Sequence, residues 1–236
     1  MTYTVSDIHG CYDRYRELLK KINFGPEDTL YVLGDVIDRG PAGFKILLDM
    51  ASRPNVVNLL GNHEAMAIDA LPGILRCIDE GKDTLTVDEA DAAELWFYNG
   101  GKLSLADLLC LYEDEAQRVI YYMNSMPLYK EVDMGERKFI LLHGGMEDFS
   151  ASRPLTDYAP EEILWCRPEP DTVYYPDNYD IFGHTPVQLL CGEFGDEDAA
   201  AKIFHNGKAI AIDCGCAFPG GQLDCLCLDT MEEFYV

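Results

Sequence analysis

Side chains that could bind metal ions follow five short apolar segments of this chain. Each segment is rich in β-branched or aromatic residues and is followed at once by aspartate, asparagine or histidine, a pattern typical of buried strands that end in polar loops. The candidate ligands are Asp7, His9, Asp35, Asn62, His143 and His184. This mixture of imidazole, carboxylate and amide donors suits Mn, Fe or Zn better than Ca or Mg, which prefer oxygen alone.

Two neighbouring metal ions would need one carboxylate that bridges them, and Asp35 is the obvious candidate because its strand is expected to be central. The pair would lower the pKa of a bridging water, so that the resulting hydroxide attacks a phosphoryl group directly and in line. His63, which follows Asn62, could protonate the leaving oxygen, with Asp38 holding its ring. The guanidinium of Arg39 would bind the other phosphate oxygens.

A repeating strand–helix pattern positions these residues. Strands are predicted near residues 3–6, 30–33 and 56–60, and helices near residues 15–22 and 43–52. This order favours parallel strands, and ligands gather outside the carboxyl ends of such strands. Strands near residues 139–142 and 179–182 would deliver His143 and His184 in the same way. We therefore expect one site assembled from five strand ends.

The pattern changes between residues 65 and 127, where no clear strand occurs. Helices are predicted over residues 88–98, 104–112 and 115–126, with breaks at Pro72-Gly73 and Asn99-Gly100-Gly101. We interpret the stretch as a helical insertion that caps one side of the site, within a single catalytic domain of residues 1–236. The second break is either a helix-ending turn or a ligand contact.

Strands dominate the C-terminal third. A hairpin is predicted over residues 128–134 and 137–142, loops over residues 152–178, and further strands near residues 202–205, 209–213 and 222–228. The acidic run at residues 193–198 is expected to be a solvated loop. Four closely spaced cysteines lack the spacing of zinc knuckles and are interpreted as small buried hydrophobic residues on strands, namely Cys214, Cys216, Cys225 and Cys227.

Charge and composition limit the class of partner. The 236 residues include 42 acidic and 18 basic side chains, which give a net charge of -24. Such a field repels nucleic acid and anionic lipid, so neither is expected as a partner. No apolar run approaches the roughly 20 residues of a membrane helix, and no signal peptide pattern is present, which favours a cytoplasmic location. The odd number of cysteines favours reduced thiols.

At these residues the sequence resembles the phosphoprotein phosphatases of the calcineurin-like metallophosphoesterases. The matching motifs, in the family's order, are SDIHG at residues 6–10, GDVIDRG at 34–40, GNHE at 61–64, HGG at 143–145 and GHT at 183–185. The resemblance implies an α/β fold, a β-sandwich of mixed sheets flanked by helices. It implies two divalent metal ions, with manganese the first expectation. The implied ligands are Asp7, His9 and Asp35 for one metal, and Asp35, Asn62, His143 and His184 for the second.

The same resemblance implies that His63 and Asp38 form the acid pair and that Arg39 binds phosphate. Arg167 is the candidate for a second phosphate-binding arginine by its position, although it could instead be a surface arginine that pairs with acidic residues. One departure bears on phosphate binding: Leu60 stands where phage-like members carry an arginine, which would remove one phosphate contact.

The short length and the segment WFYNGG at residues 96–101 resemble the bacterial and phage branch of the family. That branch contains serine/threonine phosphatases and symmetrical diadenosine tetraphosphate hydrolases. A phosphorylated protein is the first expected substrate, and a dinucleoside tetraphosphate or other small phosphoester is the alternative. A phosphate-sensing scaffold without turnover ranks lower, because a scaffold could dispense with His63.

Overall fold

Two five-stranded sheets form the centre of the structure, a computed structural model that describes residues 1–82, 84–169, 172–191 and 201–236. The strands, in chain order, are β1 (Thr2–Val5), β2 (Thr29–Val32), β3 (Val56–Asn58), β4 (Tyr129–Asp133), β5 (Lys138–Leu142), β6 (Tyr179–Phe182), β7 (Phe204–Asn206), β8 (Ala209–Ala211), β9 (Asp224–Cys227) and β10 (Glu233–Tyr235). The strand order is β10-β9-β1-β2-β3 in the first sheet and β4-β5-β6-β8-β7 in the second.

Both sheets are mixed, as the family resemblance implied. Strands β1, β2 and β3 are parallel, and β9 and β10 extend their sheet in antiparallel pairs. In the second sheet β5, β6 and β8 are parallel, between the antiparallel edge strands β4 and β7. The predicted parallel pairs and the predicted hairpin of β4 and β5 are therefore confirmed. The carboxyl ends of β1, β2, β3, β5 and β6 carry the loops with the candidate ligands.

The two sheets share one apolar layer, which strand β9 shows most clearly. Side chains on a strand point alternately to its two faces. Cys225 and Cys227 pack into a cluster with α-helical residues, whereas Leu226 packs into a second cluster with residues of the other sheet, such as Phe139 and Ile210. The sandwich with helices outside it is thus confirmed.

The helices, in chain order, are α1 (Tyr12–Lys21), α2 (Gly43–Met50), α3 (Asn62–Glu80), α4 (Val87–Tyr98), α5 (Gly101–Leu108), α6 (Glu113–Asn124), α7 (Pro160–Leu164) and α8 (Val187–Cys191). A short 3-10 helix covers Leu155–Asp157. The bounds of α2, α4 and α6 lie within two residues of the prediction. Among the described residues, no helix combines the length and apolarity needed to cross a bilayer.

The predicted helix break at Pro72-Gly73 is wrong, because α3 continues through both residues. Proline removes one backbone hydrogen bond from a helix interior. The helix is held instead by packing on α4, where Gly73 approaches Glu89 so closely that an added Cβ would lie 3.0 Å from that side chain. Tertiary contact therefore outweighs the local preference of the dipeptide.

Other boundaries also differ from the prediction. Helix α5 begins three residues early because Gly100, in the left-handed conformation at φ 106°, ends the preceding turn. Cys214 and Cys216 are buried as expected, but they lie in the loop after β8 rather than on a strand. Strand β10 and the turns of helix within residues 152–178 had no predicted counterpart. The predicted loop at residues 193–198 lies outside the described residues.

The buried carboxyl group of Asp180 in β6 makes stability depend on pH. Its Oδ2 atom accepts one hydrogen bond, from the N–H of Tyr175, while Oδ1 has no partner. Burial raises the pKa of Asp180 to about 7. Since the folded-state pKa lies above the unfolded value, this group's contribution to stability is lost as pH rises from about 4 to above 7.

We expect Asp180→Asn to raise the free energy of unfolding at pH 8 by about 2 kcal/mol, because the amide removes the cost of a buried charge. The gain should be clearly smaller at pH 5, because that pH is only about one unit above the unfolded-state pKa and the loss of stability has just begun there. Urea unfolding of both proteins at the two pH values measures the effect, with exposed Asp177→Asn as the control. An equal gain at both pH values would contradict this explanation.

Candidate metal centre

The loops that carry the candidate ligands have an unusual backbone. Nine described non-glycine residues have positive φ, and six of them lie in these loops, namely Asp7, His9, Asp35, Asp38, Arg39 and His184. Such conformations cost of order 1 kcal/mol each and persist only where the surroundings enforce them. Their concentration at the strand ends indicates that the loop conformations are set by the need to orient the candidate ligand side chains.

Asp35 lies between two groups of histidines. Its Oδ2 atom is 3.7 Å from Nε2 of His9 and 3.7 Å from Nε2 of His63, and its Oδ1 atom is 3.4 Å from Nε2 of His143. The structure contains two clusters of potential ligand atoms within 4.8 Å of one another, one with His9 and His63 and one with His143 and His184, and Asp35 belongs to both. Its position fits a bridging ligand.

The remaining candidate ligands complete these two clusters. Asn62 Oδ1 lies 2.9 Å from Nε2 of His143. Asp7 Oδ1 lies 3.8 Å from Nε2 of His9. The other oxygen of Asp7 accepts hydrogen bonds from the Ser6 hydroxyl and from the His184 N–H. The structure thus brings together all six side chains that the sequence analysis proposed.

Two buried atoms without partners show that this donor set fits cations. Asp7 Oδ1 and His184 Nε2 are shielded from solvent and form no hydrogen bond. Buried polar atoms of this kind are rare in folded proteins and call for an explanation such as an ion. Both atoms belong to residue types that bind Mn, Fe or Zn, so metal ligation would satisfy both.

The electrostatics of the site point the same way. Burial lowers the pKa of His9, His143 and His184, in the last case to about 2, and neighbouring cationic groups add to the effect for His9 and His184. These imidazoles are therefore neutral, the form that ligates metal. Burial also raises the pKa of Asp35 to about 8. The neighbouring His63 and Arg39 oppose this shift only in part, so a nearby cation would favour the carboxylate form of Asp35.

Asp38 and His63 form a closely hydrogen-bonded pair. His63 Nδ1 lies 2.6 Å from Asp38 Oδ2, and both side chains are almost completely buried. The contact leaves the opposite ring nitrogen, Nε2, directed at the ligand cluster, where it lies 3.0 Å from a guanidinium nitrogen of Arg39. This geometry fits a histidine that carries a proton to a reacting oxygen, with the carboxylate fixing its ring.

Two residues of the helical stretch, which the sequence analysis did not select, hold this pair in place. The indole N–H of Trp96 in α4 lies 3.0 Å from each carboxylate oxygen of Asp38. The Asp38 N–H donates to Ser104 Oγ in α5 at 2.7 Å. The indole ring packs directly on Gly101. A Cβ atom at position 101 would collide with the ring, so glycine is needed there. The WFYNGG segment is the signal that points to Trp96, but the sequence does not reveal its partner.

Glu64 is a third residue that the sequence analysis did not select. Its carboxyl oxygens accept hydrogen bonds from the N–H groups of Asp35 at 2.8 Å, Val36 at 2.8 Å and Ile37 at 3.2 Å. A fourth comes from Gly61 at 3.2 Å. One buried side chain at the start of α3 therefore fixes the backbone of the loop that carries Asp35.

The two arginines differ in their surroundings. Arg39 lies between the histidine rings, with one guanidinium nitrogen 2.5 Å from His9 Nε2. His9 Nε2 cannot accept this hydrogen bond and ligate a cation at the same time, so metal binding at His9 would release the Arg39 guanidinium. Arg167 instead donates to the His184 backbone oxygen at 3.0 Å and to Thr185 Oγ1 at 3.1 Å. It lies beside the site, and its role as a phosphate ligand stays a prediction.

Comparison with known proteins identifies the family. The model of the calcineurin-like phosphoesterases matches residues 2–215. The chain belongs to this family. Calcineurin-like phosphoesterases are hydrolases that depend on a dinuclear metal centre, in agreement with the two clusters joined by Asp35.

Two relatives of this phosphoesterase are symmetrical bis(5'-nucleosyl)-tetraphosphatases. The protein from Yersinia pestis (strain Pestoides F) is 30% identical over 235 residues, which cover 98% of this chain and 69% of the relative. The protein from Yersinia pseudotuberculosis serotype O:3 (strain YPIII) is 29% identical over 235 residues, which again cover 98% of this chain and 69% of the relative.

Solved structures confirm the calcineurin-like fold. A protein provisionally assigned as a diadenosine tetraphosphatase has a TM-score of 0.64 at 19% identity, over 100% of this chain and 92% of that chain. A serine/threonine phosphatase from Saccharomyces cerevisiae with similarity to human PP5 has a TM-score of 0.61 at 15% identity, over 95% of this chain and 72% of that chain.

We expect Trp96→Phe to lower kcat for an alkyl phosphoester about tenfold, because Asp38 loses the bifurcated hydrogen bond from the indole N–H and holds His63 less firmly. The loss should be smaller for p-nitrophenyl phosphate, whose leaving group departs without a proton. Steady-state kinetics on both substrates measure the difference. Phe97→Leu is the matched control, since Phe97 stacks on Trp96 but donates nothing to Asp38. Equal losses on both substrates would argue for a purely structural role of Trp96.

Proposed function

We propose that this phosphoesterase hydrolyses dinucleoside tetraphosphates symmetrically and releases two nucleoside diphosphates. The observation that carries the proposal is its similarity, over 98% of its length, to symmetrical bis(5'-nucleosyl)-tetraphosphatases. This ranking reverses the order expected from the sequence, where a phosphorylated protein came first and the dinucleotide was the alternative. We further propose a cytoplasmic location, with neither nucleic acid nor membrane as a partner.

In this proposal the six candidate ligands hold two divalent cations, for which manganese is our choice. The ligands are Asp7, His9, Asp35, Asn62, His143 and His184. When bound, such a pair supplies Lewis acidity and lowers the pKa of a coordinated water. The loops around the site exclude bulk solvent, since the candidate ligands are almost fully buried. Low solvent exposure strengthens every charge interaction with the phosphate chain.

The chain's own side chains would bind and orient the substrate. Arg39, once released from His9, offers a planar fork of donors to the phosphate oxygens. Arg167 lies next to the His184 loop and could reach the same phosphate chain from that side. His63 would hold a proton on Nε2, with Asp38 accepting from Nδ1, and deliver it to the oxygen of the departing nucleoside diphosphate.

Dephosphorylation of a phosphoserine protein is the second candidate function, and the Asp38–His63 pair favours it. A serine alkoxide is a poor leaving group and depends on protonation, whereas a nucleoside diphosphate departs easily without it. The pair is buried and is further fixed by Trp96. A site with so complete an acid system is therefore chemically suited to phosphomonoesters as well.

Hydrolysis by chelator-stripped protein resupplied with manganese tests the proposal, with diadenosine tetraphosphate and a phosphoserine peptide assayed in parallel. We expect release of adenosine diphosphate alone from the dinucleotide, with higher kcat/KM than for the peptide. Release of adenosine triphosphate and monophosphate would contradict symmetrical cleavage. Higher kcat/KM for the peptide would favour the protein phosphatase, and no turnover of either substrate would support the scaffold hypothesis.

Metal removal should also weaken the binding of inorganic phosphate, by at least about tenfold. The protein carries a net charge of -24, so attraction of an anion depends on the local charge of two cations and Arg39. Calorimetric titration of phosphate into the stripped and the manganese-loaded protein measures the change. Arg39→Ala in the loaded protein is the comparison, and it should lose only part of the affinity. Equal phosphate affinity with and without metal would refute the electrostatic argument.

A further inference from the structure

Two cysteines meet at the edge of the metal centre. Cys11 and Cys216 are 205 positions apart in the chain, yet they are in contact. The Sγ atom of Cys11 also lies 3.6 Å from the backbone oxygen of His9 and 3.8 Å from that of Cys216. The first cysteine therefore touches a candidate metal-ligand residue through its backbone, and the second belongs to the loop after β8.

The two thiols differ in exposure. Cys11 is half-buried and lines an open cavity of about 410 Å³, together with Tyr12, Arg14 and Pro41. Cys216 is 5% exposed and does not line this cavity. A small oxidant from solvent would therefore reach Cys11 first and leave Cys216 as the neighbouring thiol that can react with the product.

Hydrogen bonds hold the two cysteines in contact. One guanidinium nitrogen of Arg14, in α1, donates to the backbone oxygens of Cys216 at 2.9 Å and Gly221 at 2.8 Å. Within the loop of residues 214–221, the Phe218 N–H donates to Gly215 and the Gly221 N–H donates to Phe218. The start of α1 and the 214–221 loop are thus tied together next to the thiols.

We propose that Cys11 and Cys216 are a modification site that forms a reversible disulfide with hydrogen peroxide. The Cys11 sulfur attacks the peroxide bond, which yields a sulfenic acid on Cys11 and one water. The Cys216 sulfur then displaces the hydroxyl group of the sulfenic acid, which forms the S–S bond and releases a second water. Peroxide is the two-electron oxidant, and a dithiol reductant reverses the bond.

The disulfide would act on substrate binding through Phe218. The ring of Phe218 lies 5.2 Å from the central guanidinium carbon of Arg39. Bond formation draws the sulfur atoms together, so it shifts the 214–221 loop relative to α1 and disturbs this cation–π contact. We expect KM for a phosphoester substrate to rise about threefold, the scale of one weakened contact of this kind. This consequence rests on the proposed function, whereas the disulfide itself does not.

Peptide mass spectrometry of the manganese-loaded protein, after peroxide treatment and alkylation, tests the site without an activity assay. We expect the peptides that contain Cys11 and Cys216 to be joined, and dithiothreitol to separate them. Cys11→Ser and Cys216→Ala should both abolish the joined species. Cys110→Ser is the matched control. Cys110 is exposed and is not part of the proposed pair, so its substitution should leave the crosslink intact.

The outcomes separate the two parts of the proposal. Absence of the joined peptides, or their persistence in Cys11→Ser, would overturn the modification site whether or not the protein is active. If Cys216→Ala does not fold, Cys11→Ser still decides the question because that side chain is half-buried. Joined peptides with an unchanged KM would overturn the coupling to Arg39. Failure to hydrolyse either substrate would concern the proposed function alone.

Discussion

Asp35 is 1% exposed, and its carboxyl group lies where the loops of both sheets meet. Removing a carboxylate from water costs several kcal/mol, and the cost must be offset by nearby charge and hydrogen bonds. Its neighbours His9 and His143 are neutral, and His63 and Arg39 are the groups that favour its charged form. The site is therefore built around a deficit of positive charge, which two divalent ions would correct while using both carboxylate oxygens.

Keeping Asp35 in this position requires a rigid frame. Glu64 accepts four backbone N–H groups, including that of Asp35, although burial raises the pKa of Glu64 as well. Gly61 and Gly183 let chain segments approach so closely that a Cβ atom at either position would collide with Asp35 or Asp7. Together with the positive φ angles of the loops, these features store strain that the apolar layer between the sheets must outweigh.

The sequence predicts those parts of the site that depend on residues close together in the chain. An apolar strand followed at once by a ligand is visible in a few residues, so all six candidate ligands and the pairing of His63 with Asp38 could be proposed. The contact between Trp96 and Asp38 could not be predicted, because it spans 58 positions and depends on how α4 packs. The same reason explains the error at Pro72, where contact with α4 overrides a local break.

The helices between β3 and β4 therefore do more than cover the site. Trp96 and Ser104 bind Asp38 from two different helices, and Gly100 packs against the backbone of Arg39. A change in how these helices pack would alter the direction of the His63 ring and the position of the Arg39 guanidinium together. In the proposed mechanism, phosphate binding and acid catalysis are thus coupled through these helices, so a change in leaving-group preference could arise there with the metal ligands unaltered.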